Sequence, residues 1–240
     1  MTQSTAATTA STASTAAATH ATDAEPRGRR AAWPLIATAA GLTGFTATMV
    51  LDGRQYTADG VQLSHQMFVD LTPLTYRLSM VLGYVTVALL LVLAATWRRR
   101  VEPRLPGSTA AHLVPLGLVS SAAGLTYGYG WKGALGNYLP GSFEPKAFDD
   151  QGLYVYYVLN DFGAWIGWLG VVVAAGAVVV MGLKERSVSR WIGAVALLPV
   201  IQTTLMVAGL GVPGVPALLG PAWLVVTGLG LYFGKSTITR

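Results

Sequence analysis

No cysteine occurs in this chain, and histidine occurs only three times. The first absence excludes a disulfide framework, a thiolate nucleophile and a Cys-ligated metal site. The second excludes a haem held between two histidines. His20 lies in the N-terminal tail, His65 between the first two apolar stretches and His112 at one end of the third, so no two share a depth. Charge is scarce as well, at 11% of residues, against about 25% in a soluble domain. No lysine stands in the middle of an apolar stretch to carry a Schiff base. Neither a Gly-rich phosphate loop ending in Lys and Ser/Thr nor a Gly-x-Ser-x-Gly elbow is present. No cofactor or metal site is expected.

What the chain has instead is hydrocarbon. Hydrophobic residues make up 52% of its 240 positions. They gather in six stretches, at about residues 31–51, 74–97, 110–131, 157–183, 191–210 and 215–233. About 20 apolar residues are needed to cross a hydrocarbon core about 30 Å thick. No water is available at that depth, so each span must satisfy its own backbone as a helix. The expected fold is an all-α, six-span transmembrane bundle over residues 31–234. It is preceded by an Ala/Thr/Ser-rich tail, 1–30, too poor in apolar surface to order itself. Residues 235–240 form a short C-terminal tail. The first stretch is full length and lacks a small-residue cleavage pattern, so it reads as a retained anchor.

The distribution of charge gives the orientation. With both termini inside, twelve of the sixteen basic residues fall on the inner side, among them Arg98, Arg99, Arg100, Arg104, Lys184, Arg186 and Arg190. Arg54, Arg77, Lys132 and Lys146 fall outside. Basic flanks stay in the cytoplasm, so the layout is N-in/C-in in a bacterial plasma membrane. The net charge of +5 is thereby a matter of topology, and no nucleic-acid partner is expected.

Candidate chemistry lies on the outer side. Twelve of the 23 aromatic residues fall between Tyr127 and Trp168. Such residues suit the headgroup level. A denser reading makes them a cup for an amphipathic ligand, with Tyr127, Trp131, Tyr154, Tyr157 and Trp165 as its walls. Asp149, Asp150 and Asp161 are the candidate acids or bases in the same region, with neighbouring carboxylates able to raise one another's pKa or attract a cation. Arg77 lies about a turn inside its span, where a charge needs a partner. Asp161 is one, Asp70 another, and snorkelling to headgroup phosphates is a third possibility. Gln202, Thr203 and Thr204 are the polar step inside the fifth span, suited to an interhelical hydrogen bond or to lining a solute path. Glycines four apart, Gly124/Gly128, Gly163/Gly167 and Gly230/Gly234, fit close helix packing, within the bundle or against a membrane-protein partner or second copy.

The Ala/Gly/Val/Leu-heavy spans, the Thr/Ala/Ser tail and the Arg98-Arg99-Arg100 loop resemble uncharacterised six-span integral membrane proteins of high-GC actinobacteria. The resemblance rests on layout and implies the same bundle in the same membrane, with no catalytic motif to carry over. Three function classes follow: a non-catalytic partner-binding or accessory protein, an enzyme or lipid-binding protein acting on an amphipathic molecule at the outer rim, and a small transporter of uncharged solutes.

Overall fold

A computed structural model describes residues 31–52, 68–234 and 236–239. The expectations for the tail 1–30, and for His20, Arg54 and His65, lie outside the described residues. Among those described there is helix and no strand. Helix α1 is Leu35–Phe45 and runs on as a π-helical turn, Thr46–Val50. Then follow α2 (Pro73–Arg100), α3 (Thr109–Tyr138), α4 (Asp150–Ile166), α5 (Leu169–Leu183), α6 (Arg190–Leu210) and α7 (Pro216–Phe233).

Five helical runs are long and apolar enough to cross a membrane: α2, α3, α4 with α5, α6 and α7. The first, Leu35–Val50, is shorter. Its 16 residues rise roughly 24 Å at 1.5 Å each. The stretch 157–183 is one apolar run in the sequence, but the helix breaks at Gly167–Trp168 and resumes as α5. Leu74, Leu116, Leu205 and Phe233 stand well exposed on the bundle's outside. So many bare apolar side chains are stable only with hydrocarbon as the solvent.

Local chemistry sets the helix ends. Pro73 opens α2 at a position where its missing N–H costs nothing, and Arg98, Arg99 and Arg100 close it, complementing the dipole. Ser108 Oγ accepts from Ala111 N at 3.0 Å and caps α3. Asp149 Oδ1 accepts from Gly152 N at 2.9 Å and caps α4. Gly211, at φ 68°, ends α6 in the left-handed conformation, with its N–H bonded to Val207 O and that of Val212 to Met206 O.

Helix contacts run in a ring from α1 through α2, α3, α4 with α5, and α6 to α7, which returns to α1. One end of the ring carries Arg98–Arg100, Arg104, Lys184, Arg186 and Arg190 and is called the basic end below. There Arg104 Nη1 donates to Ile238 O at 2.7 Å, Ser189 pairs with Ser236, and Ile238 is buried, so the chain's last described turn is tied under the bundle. The opposite end, with the 139–149 connection, is the aromatic end.

The helices overrun the apolar stretches at the aromatic end. The third apolar stretch ends at residue 131 and the fourth starts at 157, which leaves 132–156 as a loop by sequence, whereas α3 continues to Tyr138 and α4 begins at Asp150. Lys132, Tyr138, Asp150, Tyr154 and Tyr156 are therefore helical residues. Leu135, Leu139, Leu153 and Tyr157 are buried together there, so the helices keep packing after the hydropathy falls.

Candidate functional site

Buried apolar side chains divide into two clusters. The larger includes Leu90, Leu125, Tyr129, Ala164 and Trp168. The smaller, at the aromatic end, holds Phe68, Leu71, Tyr76, Leu135, Leu139, Leu153 and Tyr157. Between them three of the helices place a buried polar residue: Ser79 on α2, Lys132 on α3 and Asn160 on α4, none with any exposure. The result is a polar layer across the bundle.

Lys132 is 0% exposed, and its Nζ lies 3.1 Å from Asp52 Oδ1. Asp52 follows the π-helical turn that ends α1. Such turns insert one residue into a helix and recur at functional positions. Here the turn aims Ala47 O at Ser79 Oγ, which donates to it at 2.7 Å. It also aims Thr48 at two aromatic residues. Thr48 Oγ1 is 2.8 Å from Tyr129 OH and accepts from Trp168 Nε1 at 3.1 Å. Both rings are seated on glycine: a Cβ at Gly83 would collide with Tyr129, and one at Gly44 with Trp168. Asn160 is the exception in this layer, since neither its Oδ1 nor its Nδ2 has a hydrogen-bond partner.

The glycine pairs pack within the chain. A Cβ on Gly124 would sit 3.1 Å from Gly167 Cα, and one on Gly128 would overlap Ala164 N. Gly230 meets Trp191. The faces Gly124/Gly128 and Gly163/Gly167 are thus turned to each other within one chain. The same register sets Asn160 level with Lys132.

This glycine crossing leaves a trough on the bundle's outside. It is lined by Ser120, Gly124, Tyr127 and Trp131 on α3 and by Gly163, Ile166, Gly167, Leu169 and Gly170 across the α4–α5 break, and measures about 410 Å3. The α3 residues are spaced four, three and four apart, so they form one stripe. Tyr127 is 69% exposed, and its ring lies 6.3 Å from that of Trp131. Both aromatics stand at the aromatic end of the trough, with Ser120 at the other.

The other expected site residues do not join it. Tyr157 is buried in the smaller cluster, with Tyr154 packed against it. Trp165 packs near Gly214, at the turn between α6 and α7. Tyr138, Phe148 and Tyr156 form an aromatic group with centroids 4.8–5.3 Å apart, and Tyr138 and Tyr156 also pack against the smaller cluster. Asp149 is a helix cap, and Asp150 lies in the first turn of α4. Arg77 stacks on Phe143, 4.3 Å from the ring centroid. Its Nε and Nη2 are buried without a hydrogen-bond partner. The side chain of Asp161, its expected partner, lies outside the described part. Gln202 Nε2 donates to Val215 O at 3.2 Å, joining α6 to the start of α7. Thr203 and Thr204 line a second cavity.

Lys132, Asp52, Thr48 and Asn160 are the residues that sequence reading passed over. A signal existed. Leu125, Tyr129, Lys132 and Leu135 or Gly136 continue one face at three- and four-residue steps, which puts Lys132 on the buried stripe. No protein-family model, no curated protein and no solved structure matches this chain.

Proposed function

We propose that the protein is a multi-pass protein of the bacterial plasma membrane, basic end in the cytoplasm, that binds an amphipathic, lipid-like molecule at its outer rim without transforming it. The trough between α3 and the α4–α5 break carries this reading. Its volume of about 410 Å3 falls within the range of ligand sites, roughly 300–1,000 Å3. Its floor is glycine, its walls are apolar, and its outer end is marked by the two side chains, Tyr127 and Trp131, that suit the headgroup level. A hydrocarbon chain fits along that floor, and the aromatics meet the polar end.

Two competing readings have less support. An enzyme would need a free acid beside the ligand, yet Asp149 spends its carboxylate on a helix cap. A transporter of uncharged solutes would need a path past Gln202, whose amide is tied to Val215 O. The accessory reading keeps one observation in its favour: the last turns of α6 expose Leu205 and Leu210, a surface that a partner's helix could cover.

Native mass spectrometry of the detergent-purified chain tests the proposal. The wild type should retain lipid adducts, and Ser120→Trp, which fills the trough from an exposed position, should lose them. Equal retention by both would remove the trough from the account.

A further inference from the structure

A second cavity, of about 370 Å3, lies on the other side of the α4–α5 break. Its lining includes Ile166, Leu169, Thr203, Val207, Pro213 and Pro216, and no charged residue. We propose that it holds an uncharged lipid whose single oxygen, hydroxyl or carbonyl, accepts a hydrogen bond from Thr203. The proposal stands whether or not the trough at Tyr127 binds anything.

Thr203 is the reason for a specific ligand. It is only 5% exposed, and its Oγ1 has no partner. A threonine within a helix ordinarily bonds back to the preceding turn. Thr43, Thr46, Thr86 and Thr126 do so here, to Ala39 O, Leu42 O, Leu82 O and Ala122 O, at 2.7–3.0 Å. Thr38 and Thr227 also lack a partner; Thr203 lacks one while lining a cavity. An unmatched hydroxyl in hydrocarbon is costly, and a ligand oxygen relieves it.

Pro199 stands inside α6, where its ring removes one backbone N–H and crowds the carbonyl a turn earlier. Past it, Leu205 is 65% exposed. Gln202 ties this part of α6 to the start of α7 through Val215 O, beside the cavity.

Depth excludes a charged headgroup. Thr203 lies seven residues before Leu210, the end of α6, or roughly 10 Å inside it at 1.5 Å per residue. A phosphate or ammonium would lose its hydration there, whereas one hydroxyl or carbonyl loses little. The lining offers no charge to compensate.

Photolabelling of the full chain in phosphatidylcholine nanodiscs tests the proposal. The probes are hexadecanol, hexadecan-2-one and hexadecane, each bearing a diazirine, with labelled peptides mapped by mass spectrometry. The alcohol and the ketone should label the segment around Thr203–Ala208 in the wild type. Thr203→Val should lower both by about three- to tenfold, the worth of one hydrogen bond, with alkane labelling unchanged. Thr203→Ser should keep the signal. Val207→Trp, which leaves Thr203 in place and fills the cavity, should remove all labelling there. The alkane arm reports on folding in the two Thr203 variants, and far-ultraviolet circular dichroism does so for Val207→Trp. Equal labelling in wild type and Thr203→Val would overturn the proposal, as would labels spread evenly over all lipid-facing helices. Loss with one oxygenated probe alone would still support it and would name the ligand's oxygen.

Discussion

Lys132 and Asp52 meet 3.1 Å apart at the aromatic end of the bundle, the lysine without any exposure to the outside. One residue comes from the third helix and the other from the end of the first. Their contact fixes how the short first helix sits against the longest one. A buried pair of this kind adds little net stability, since desolvation offsets attraction. Breaking it from one side leaves an uncompensated charge in low dielectric, and that is severe.

Lys132→Met alone should therefore destabilise the protein by about 3–5 kcal/mol. The double variant Lys132→Met with Asp52→Leu should recover most of that loss. Unfolding in SDS–detergent mixtures, followed by far-ultraviolet circular dichroism, measures both. A double variant as weak as the single one would show that the pair is not the coupling.

Thr48 Oγ1 bonds two aromatic side chains at once, accepting from Trp168 Nε1 and sharing a hydrogen bond with Tyr129 OH. Thr48→Val removes the hydrogen bonds to both Tyr129 OH and Trp168 Nε1 and should cost about 2–3 kcal/mol, while Tyr129→Phe removes the one to Thr48 and should cost about 1 kcal/mol. The same unfolding measurement gives the order, and a reversed order would contradict the hydrogen-bond assignment.

Glycine positions separate by what a methyl group would meet. Gly128→Ala overlaps the backbone at Ala164 and should disrupt the crossing of α3 and α4, with little folded protein recovered. Gly209→Ala meets nothing within 4 Å and should stabilise α6 by up to about 1 kcal/mol. Thermal scanning in detergent reads both.

The helical, membrane-crossing character of this chain is legible in its sequence because lipid leaves the backbone a single solution and marks it with long apolar runs. The ends of the helices are less so. Lys132 reads as a loop residue because its charge ends the apolar run, yet helix packing continues to Tyr138, and Asp52 supplies the counter-charge from 80 residues away. The aromatic-rich segment reads as one cup because composition cannot tell which face each ring takes. Tyr127 and Trp131 share the trough, Tyr129 and Trp168 turn inward, and Tyr157 joins a core. Thr203 and Gln202 are conspicuous in the sequence as polar residues in an apolar helix. The cavity beside them is lined from the α4–α5 break, α6 and the start of α7 together, and it appears only once the helices are assembled.

The absence of cysteine makes topology directly measurable. Phe143→Cys, at a position 79% exposed, should react with a membrane-impermeant maleimide in intact cells. Arg99→Cys, at the basic end, should react only after lysis. The opposite pattern would invert the orientation and place the trough in the inner leaflet.

Occupancy of the trough is the claim on which the functional reading turns, and crosslinking measures it. A benzophenone amino acid at position 127, in the trough, is compared with one at position 85, on a plain lipid-facing surface. After extraction and dilution in detergent, irradiation should attach a lipid at position 127 and leave position 85 attached to detergent alone. The same detergent product at both positions would contradict a bound amphipathic ligand.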